Sequence, residues 1–221
     1  MNDAITRAEF FRMMTAAAGN VMAHERMLSE LDCVSGDGDH GATMVRTFDR
    51  VKEAFEIGNS LGIKAALKKA AWDVMSVDGG ASSALFGTLL LGMSMVDVRG
   101  EESLTESDCA HLFESGLNAI QKQTPAKPGD KTMVDALAPA VDALTRAALP
   151  GACIQRVFDS AANAARAGAE STANLTARIG RAKFLGEKTR GHCDPGAVST
   201  ALFFEGLSQG LLDSRRSTHD A

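Results

Sequence analysis

The chain has 221 residues, of which 45% are hydrophobic and 23% are charged, and its formal net charge is −5. This is the composition of a soluble globular protein, and its acidic balance argues against nucleic acid or an anionic membrane as a partner. No apolar run approaches the roughly 20 residues that cross a bilayer, and charges interrupt the N-terminal stretch where a signal peptide is apolar.

Four cysteines lie far apart and form no C-x-x-C pair. That spacing is typical of reduced thiols rather than of a disulfide framework or a zinc site. We find no linker, repeat or low-complexity segment. The sequence therefore predicts a cytoplasmic protein with a single domain over residues 1–221.

Apolar residues recur every three or four positions along most of the chain, and strand-like alternation is nearly absent. This spacing predicts helices near residues 4–30, 41–57, 62–76, 82–97, 105–122, 131–148, 153–179 and 195–213, with a frayed tail after Leu212. The Ala and Gly residues of 153–179 allow close helix packing. About eight helices with short connections predict an all-α barrel or bundle of antiparallel helices, in which alternate loops gather at one end.

The first informative break is the acidic loop L-D-C-V-S-G-D-G-D-H-G, which contains Asp32, Asp37 and Asp39. Crowded carboxylates repel one another unless a cation neutralises them, and hard oxygen ligands favour magnesium or calcium. The alternative is a solvated turn, because Asp-Gly repeats are common there. An EF-hand loop is disfavoured, since position 12 counted from Asp37 is Phe48 rather than glutamate. His40 either contacts a ligand or makes a local backbone hydrogen bond.

Glycine-rich turns also precede later helices, and helix N-termini suit anionic ligands. Ser82 follows Gly79-Gly80 and either contacts a phosphate or caps its helix, while Lys131 either meets a phosphate or is solvated. Met133 is suited to cover a base. No Walker motif or G-x-G-x-x-G sequence is present, which excludes the common P-loop and Rossmann folds.

Residues 180–196 form the last informative break, with Arg181, Lys183, Lys188 and Arg190 among four glycines. The segment is either a mobile basic loop that closes over polyphosphate or an exposed loop whose charges keep the protein soluble. Acidic metal ligands, glycine-rich helix starts and a basic loop are the parts that phosphoryl transfer requires.

In their order, the motifs L-D-x-x-x-G-D-G-D-H-G, G-G-A-S, P-G-D-K-T-M-x-D-A-L and G-R-A-x-x-L-G-E-x-x-x-G-H-x-D-P-G-A resemble the DhaL, or L-subunit, family of dihydroxyacetone kinases over residues 31–199. The resemblance implies a barrel of eight antiparallel helices with the nucleotide at one end. It implies two Mg²⁺ ions on Asp32, Asp37 and Asp39, which with Arg181 are the catalytic positions. The implied nucleotide contacts are His40, Gly41, Ala42, Thr43, Ala81, Ser82, Met133, Arg181, Asp194, Pro195 and Gly196.

Two positions depart from the family pattern. Thr124, followed by Pro125, stands where relatives have a glycine that contacts the nucleotide, so this contact would run through the backbone. Ser83-Ala84 replaces the common Gly-Pro, which reshapes the helix start.

The resemblance also implies partners. A separate K subunit would carry dihydroxyacetone or a similar small ketose, and bound ADP would serve as a coenzyme rephosphorylated by a phosphohistidine protein of the sugar phosphotransferase system. The alternatives are an ATP-dependent kinase subunit for another small ketose or for a fatty acid, and a nucleotide-loaded regulatory module that contacts a transcription regulator.

Overall fold

The computed structural model describes residues 4–34, 36–57, 60–98 and 102–219; Ser35 of the acidic loop and both ends of the predicted domain lie outside them. Over those residues the elements are β1 (Ile5–Thr6), α1 (Arg7–Ala23), α2 (Glu25–Asp32), α3 (His40–Ile57), α4 (Ile63–Met75), α5 (Gly80–Ser94), β2 (Ser103–Leu104), α6 (Glu106–Gln123), α7 (Val134–Ala147), α8 (Ile154–Ser171) and α9 (Pro195–His219), with 3-10 helices at Thr172–Asn174 and Arg181–Thr189.

The helices pack as a closed ring. From α3 to α9 each helix contacts the next one in sequence, α9 contacts α1, and α1 contacts α3. The short α2 lies outside the ring against α3 and α9. Strands β1 and β2 pair antiparallel, with Ile5 opposite Leu104. The predicted all-α barrel of about eight antiparallel helices is therefore confirmed.

Local sequence signals explain where several helices begin. Thr6 and Glu9 form a capping box at α1, and Thr105 and Asp108 form one at α6, so the free N–H groups of both first turns are paired. Pro195 starts α9, where a missing N–H costs nothing.

Buried aromatic rings pack between α3, α5 and α9. The Phe48 and Phe86 centroids lie 4.9 Å apart, and Phe203 packs against both rings. These three side chains are almost fully buried. The three rings form part of the buried core between these helices. Among the described helices, none is long and apolar enough to cross a bilayer.

The helix predicted over 4–30 is broken at His24. Its backbone leaves helical geometry there (ψ 19°), and its Nδ1 lies 2.7 Å from the carbonyl oxygen of Asn20. The chain turns at this point, and α2 comes so close to α3 that a Cβ added at Gly41 would lie 2.0 Å from the Glu25 carbonyl oxygen. A break invisible in the apolar spacing thus sets the position of Asp32, the last residue of α2.

The prediction of one helix over 153–179 is also wrong at its C-terminal end. Helix α8 ends at Ser171, because the Thr172 hydroxyl accepts a hydrogen bond from the Asp194 N–H (2.8 Å) and its carbonyl accepts one from Lys131 (2.6 Å). The expected close packing is confirmed within α8, since a Cβ at Gly168 would lie 2.2 Å from the Asp135 carbonyl oxygen.

Two further expectations need correction. The described part of the tail, residues 213–219, is not frayed, because α9 continues to His219 and Arg215 forms an ion pair with Glu9 of α1 at 3.3 Å. Residues 180–196 are not wholly a loop, since Arg181–Thr189 is a 3-10 helix with a kink at Gly186 (φ 55°). This short helix lies beside the acidic loop, where Arg181 contacts Asp37.

Candidate functional site

Alternate helices of an antiparallel ring begin at the same end, and the N-termini of α3, α5, α7 and α9 meet there around one cleft of about 630 Å³. The predicted gathering of loops is therefore found in the structure. Of the predicted site residues, the cleft is lined by Asp32, Asp39, His40, Thr43, Ala81, Ser82, Thr124, Met133, Arg181, Asp194, Pro195 and Gly196. Helix N-termini that gather at one cleft suit an anion with several phosphates.

Three carboxylates converge at one side of the cleft. Oxygen atoms of Asp32, Asp37 and Asp39 all lie within 4.8 Å of one another. Asp32 is nearly buried, and its Oδ2 accepts hydrogen bonds from the N–H groups of Gly38 (3.0 Å), Asp39 (3.1 Å) and His40 (3.3 Å). One side chain thus shapes the loop and brings the other two carboxylates towards it.

The charges of this cluster are only partly balanced. A hydrogen bond from the Arg181 guanidinium lowers the pKa of Asp37. Partial desolvation, followed by the hydrogen bond and charge of Asp37 and the charge of Asp32, raises the pKa of Asp39. Mutual repulsion of this kind is relieved by a cation. The all-carboxylate donor set fits magnesium, which takes its remaining ligands from water and phosphate oxygens.

His40 is buried, and its contacts are long-range rather than the local backbone bond considered above. Its Nε2 lies 3.2 Å from Ser199 Oγ, and its Nδ1 lies 3.4 Å from Ser82 Oγ. Because the Ser199 hydroxyl donates to the Gly196 carbonyl (3.0 Å), it accepts from Nε2–H, which leaves Nδ1 as the acceptor facing Ser82. Burial lowers the pKa of His40, so the ring is held neutral.

Lys131 is buried rather than solvated, which corrects one alternative from the sequence, and it lines the cleft. It is 5% exposed, and its ammonium group donates to the carbonyl oxygens of Thr172 (2.6 Å) and His192 (2.5 Å). Its backbone is left-handed (φ 62°), unlike every other described residue except glycines. Lys131 therefore ties the turn before α7 to the end of α8 and to the segment before α9.

Asp194 is the N-cap of α9, where its Oδ2 accepts the Ala197 N–H at 2.8 Å. Burial raises the pKa of Asp194 to about 7, although the same N–H and the charge of Lys131 oppose this shift. The raised pKa favours the protonated carboxyl group more than in an exposed aspartate, which reduces its negative charge in the cleft.

The raised pKa of Asp194 makes folding pH-dependent. Because the folded protein binds this proton more tightly than the unfolded chain, the contribution of Asp194 to the free energy of unfolding is greatest below the pKa that Asp194 has in the unfolded chain. This contribution is lost as the pH rises towards 7. Between pH 5 and pH 8 we expect a loss of roughly 1–3 kcal/mol that Asp194→Asn, which keeps the cap, does not show. Urea unfolding of nucleotide-free protein measures this difference, and parallel pH slopes in both proteins would contradict it.

The remaining predicted residues are placed as follows. Asp37 belongs to the carboxylate cluster, Gly41 packs against α2, and Ala42 follows it in α3. Thr124 ends α6, and its hydroxyl accepts the Ala126 N–H at 3.2 Å. Gly79, rather than Ser82, is the N-cap of α5.

Sequence reasoning missed Arg46, a further cationic side chain at the cleft. Its guanidinium donates to the Thr43 hydroxyl (3.0 Å) and to the Asp78 carbonyl (3.3 Å), which joins α3 to the turn before α5. The signal was present, because residues 40, 43 and 46 are three apart and share one helix face. Ser199 and Lys131 carried no comparable signal, since their partners are distant in sequence.

Comparison with known proteins identifies a family. Residues 34–209 match the family described as the DAK2 domain. The chain is 36% identical to the ADP-binding subunit DhaL of PEP-dependent dihydroxyacetone kinase 1 from Listeria innocua, over 86% of this chain and 89% of that protein. It is 37% identical to the ADP-binding subunit DhaL of the PTS-dependent dihydroxyacetone kinase from Lactococcus lactis, over 85% of this chain and 88% of the relative.

The fold also matches a solved structure, the dihydroxyacetone kinase from C. freundii in complex with AMP-PNP and Mg²⁺. The TM-score is 0.69 with 23% identity, and the match covers 90% of this chain and 33% of that protein. At 23% identity this match shows only that the two proteins share the barrel fold. The two sequence relatives, at 36% and 37% identity, show common descent. Together with the matched residues 34–209, they show that the chain belongs to the DAK2 domain family.

Proposed function

We propose that this chain is the nucleotide-binding subunit of a dihydroxyacetone-type kinase and folds as a single domain. It holds ADP or ATP with Mg²⁺ and takes part in phosphoryl transfer to dihydroxyacetone, or a similar small ketose, carried by a separate K subunit. The observation that carries the proposal is the convergence of three carboxylates and four helix N-termini on one cleft. The names of the two full-length relatives support ADP as the bound nucleotide.

Each side of the cleft has a role in this proposal. Asp32, Asp37 and Asp39 would hold magnesium, which supplies positive charge to phosphate oxygens when it is bound. The N–H groups at the start of α5, which has no side-chain cap, would orient the phosphates without adding mobile charge. Arg181, which lines the cleft and contacts Asp37, would stabilise negative charge that develops on the transferred group.

The base would lie at the apolar end of the cleft. Leu85, Phe86 and Met133 line this part, and Met133 is almost fully buried beside Gly196. Flat apolar side chains and a polarisable thioether cover an aromatic base well. His40 is assigned to the phosphate side, where Ser199 holds its ring in one tautomer.

We assign the ketose to a partner subunit and the phosphoryl donor to a phosphohistidine protein of the phosphotransferase system. The name of the Lactococcus lactis relative, a PTS-dependent enzyme, supports this assignment. The ATP-dependent and regulatory alternatives are not favoured, because both full-length relatives are named as ADP-binding kinase subunits.

Reconstitution tests the proposal. The purified chain, a K subunit and dihydroxyacetone are supplied either with phosphoenolpyruvate and phosphotransferase proteins or with ATP alone, and dihydroxyacetone phosphate is quantified. We expect ADP to remain with the purified chain and product to form in the first arm. Product in the ATP arm alone would favour the ATP-dependent alternative. Absence of product in both arms, with ADP retained, would contradict the kinase assignment.

A further inference from the structure

Arg181, which lines the cleft, contacts the acidic loop. Its Nη1 is in direct contact with Asp37 Oδ2, although the two residues are 144 positions apart in sequence. The side chain of Arg181 is 71% exposed and that of Asp37 is 50% exposed, so neither is held in place by burial. The contact is therefore an electrostatic one between exposed side chains.

The three carboxylates differ in how their charge is already balanced. Asp32 accepts three backbone N–H groups, all on its Oδ2. Asp37 and Asp39 are exposed, and Asp37 has Arg181 as its cationic partner. The guanidinium thus stands at the carboxylate that the proposed function assigns to magnesium. A divalent cation and a guanidinium on one carboxylate would repel each other strongly.

The backbone around Arg181 allows the side chain to change partners. Gly180 precedes it in a conformation suited to glycine (φ 71°, ψ −164°), and the kink at Gly186 interrupts the 3-10 helix. Beyond the kink the segment is anchored, because the buried Thr189 hydroxyl accepts the Ala177 N–H at 3.0 Å and donates to the Gly186 carbonyl. The flexible positions therefore flank Arg181 and leave the rest of the segment fixed.

We infer that Arg181 is the counter-ion of the metal site in the nucleotide-free protein, and that a divalent cation displaces it from Asp37. Arg181 lines the cleft, so displacement frees its guanidinium for phosphate oxygens. Metal binding and the readiness of Arg181 for the nucleotide are thereby coupled. This inference rests on the proposed function, because it takes the three carboxylates to be the metal ligands.

The coupling predicts opposite changes in two affinities. In Arg181→Gln we expect nucleotide-free protein to bind Mn²⁺ about fivefold more tightly than wild type, because the competing cation is gone. The same variant should bind ADP with Mg²⁺ more weakly, because a phosphate contact is lost. Electron paramagnetic resonance of free Mn²⁺ measures the first affinity, and calorimetry measures the second.

Lys183→Gln is the matched control. It removes the same charge from the same segment, and Lys183 lies over the ring of Phe184 rather than at a carboxylate. We expect less than a twofold change in its Mn²⁺ affinity, since exposed charges at a distance are screened. As a second readout, Mg²⁺ alone should speed amide hydrogen exchange around Arg181 in wild type and should leave Arg181→Gln unchanged.

The outcomes separate the inference from the proposed function. If the carboxylates are the metal ligands, Asp39→Asn should abolish Mn²⁺ binding whether or not Arg181 is the counter-ion. Equal Mn²⁺ affinities in wild type and Arg181→Gln would overturn the inference and leave the metal site intact. An equal gain in Lys183→Gln would also overturn it, because general charge would then be the cause. Absence of Mn²⁺ binding in every variant, with and without ADP, would remove the proposed function and the inference together.

Discussion

Asp37→Ala should abolish magnesium-dependent retention of ADP while leaving the helical fold intact. Asp37 is one of three converging carboxylates, and the remaining pair offers a divalent cation fewer ligands. Loss of a supporting residue around a metal typically costs 10–100-fold in affinity, so loss of a proposed ligand should cost at least about a hundredfold. Calorimetric titration with ADP, in magnesium and in EDTA, measures the effect.

The fold of this variant should survive, because Asp37 is exposed and an exposed ion pair contributes at most about 1 kcal/mol. Asp142→Ala provides the control: it removes an equal charge from an exposed ion pair with Arg146 on α7. Circular dichroism should be unchanged in both variants. Wild-type ADP affinity in Asp37→Ala would remove the assignment of the acidic loop to a metal.

The second large effect is expected in Lys131→Met. This variant should lose stability, because the amine of Lys131 binds two backbone carbonyl groups. The substitution keeps the length of the side chain but removes the amine that serves two carbonyl groups. Hydrogen bonds to charged donors and unpaired buried acceptors suggest a cost of about 2–4 kcal/mol. In a chain of this size that lowers the Tm by roughly 5–10 °C.

Thermal unfolding without nucleotide is the decisive measurement for Lys131→Met. Lys127→Met is the control, because Lys127 is an exposed lysine of the same turn. If Lys131→Met kept the wild-type Tm but bound ADP weakly, the amine would act on the nucleotide and the structural role would be wrong. A gain in stability on Lys131→Gly, which suits the left-handed backbone, would likewise contradict it.

Much of the barrel and of the site was predictable, since both depend on local patterns. Apolar spacing predicted the helices of the ring, and glycines in the sequence marked the turns before α3, α5 and α9. Asp37 and Asp39 were recognisable because two aspartates beside glycines stand out in a sequence. Their convergence with Asp32 required the three N–H groups that Asp32 accepts, which follow from backbone geometry.

The missed features depend on contacts between distant segments. The break at His24 lies inside a good helical pattern, and the early end of α8 is caused by Lys131 and Asp194, which lie far from Thr172 in sequence. A buried lysine with two carbonyl acceptors looks in a sequence like any lysine at a helix start. The charges of residues 180–189 were visible in the sequence, but the 3-10 helix over Arg181–Thr189 was not.

The contact between α1 and α9 has a consequence for biosynthesis. The first and the last helix of the ring are mutual neighbours, so the ring cannot close until the ribosome has released α9. Asp194, Pro195 and Gly196 open that last helix and line the cleft. Nascent chains should therefore gain nucleotide affinity only after α9 has been synthesised, and pairing of such sequence-distant helices should make closure a slow step of folding.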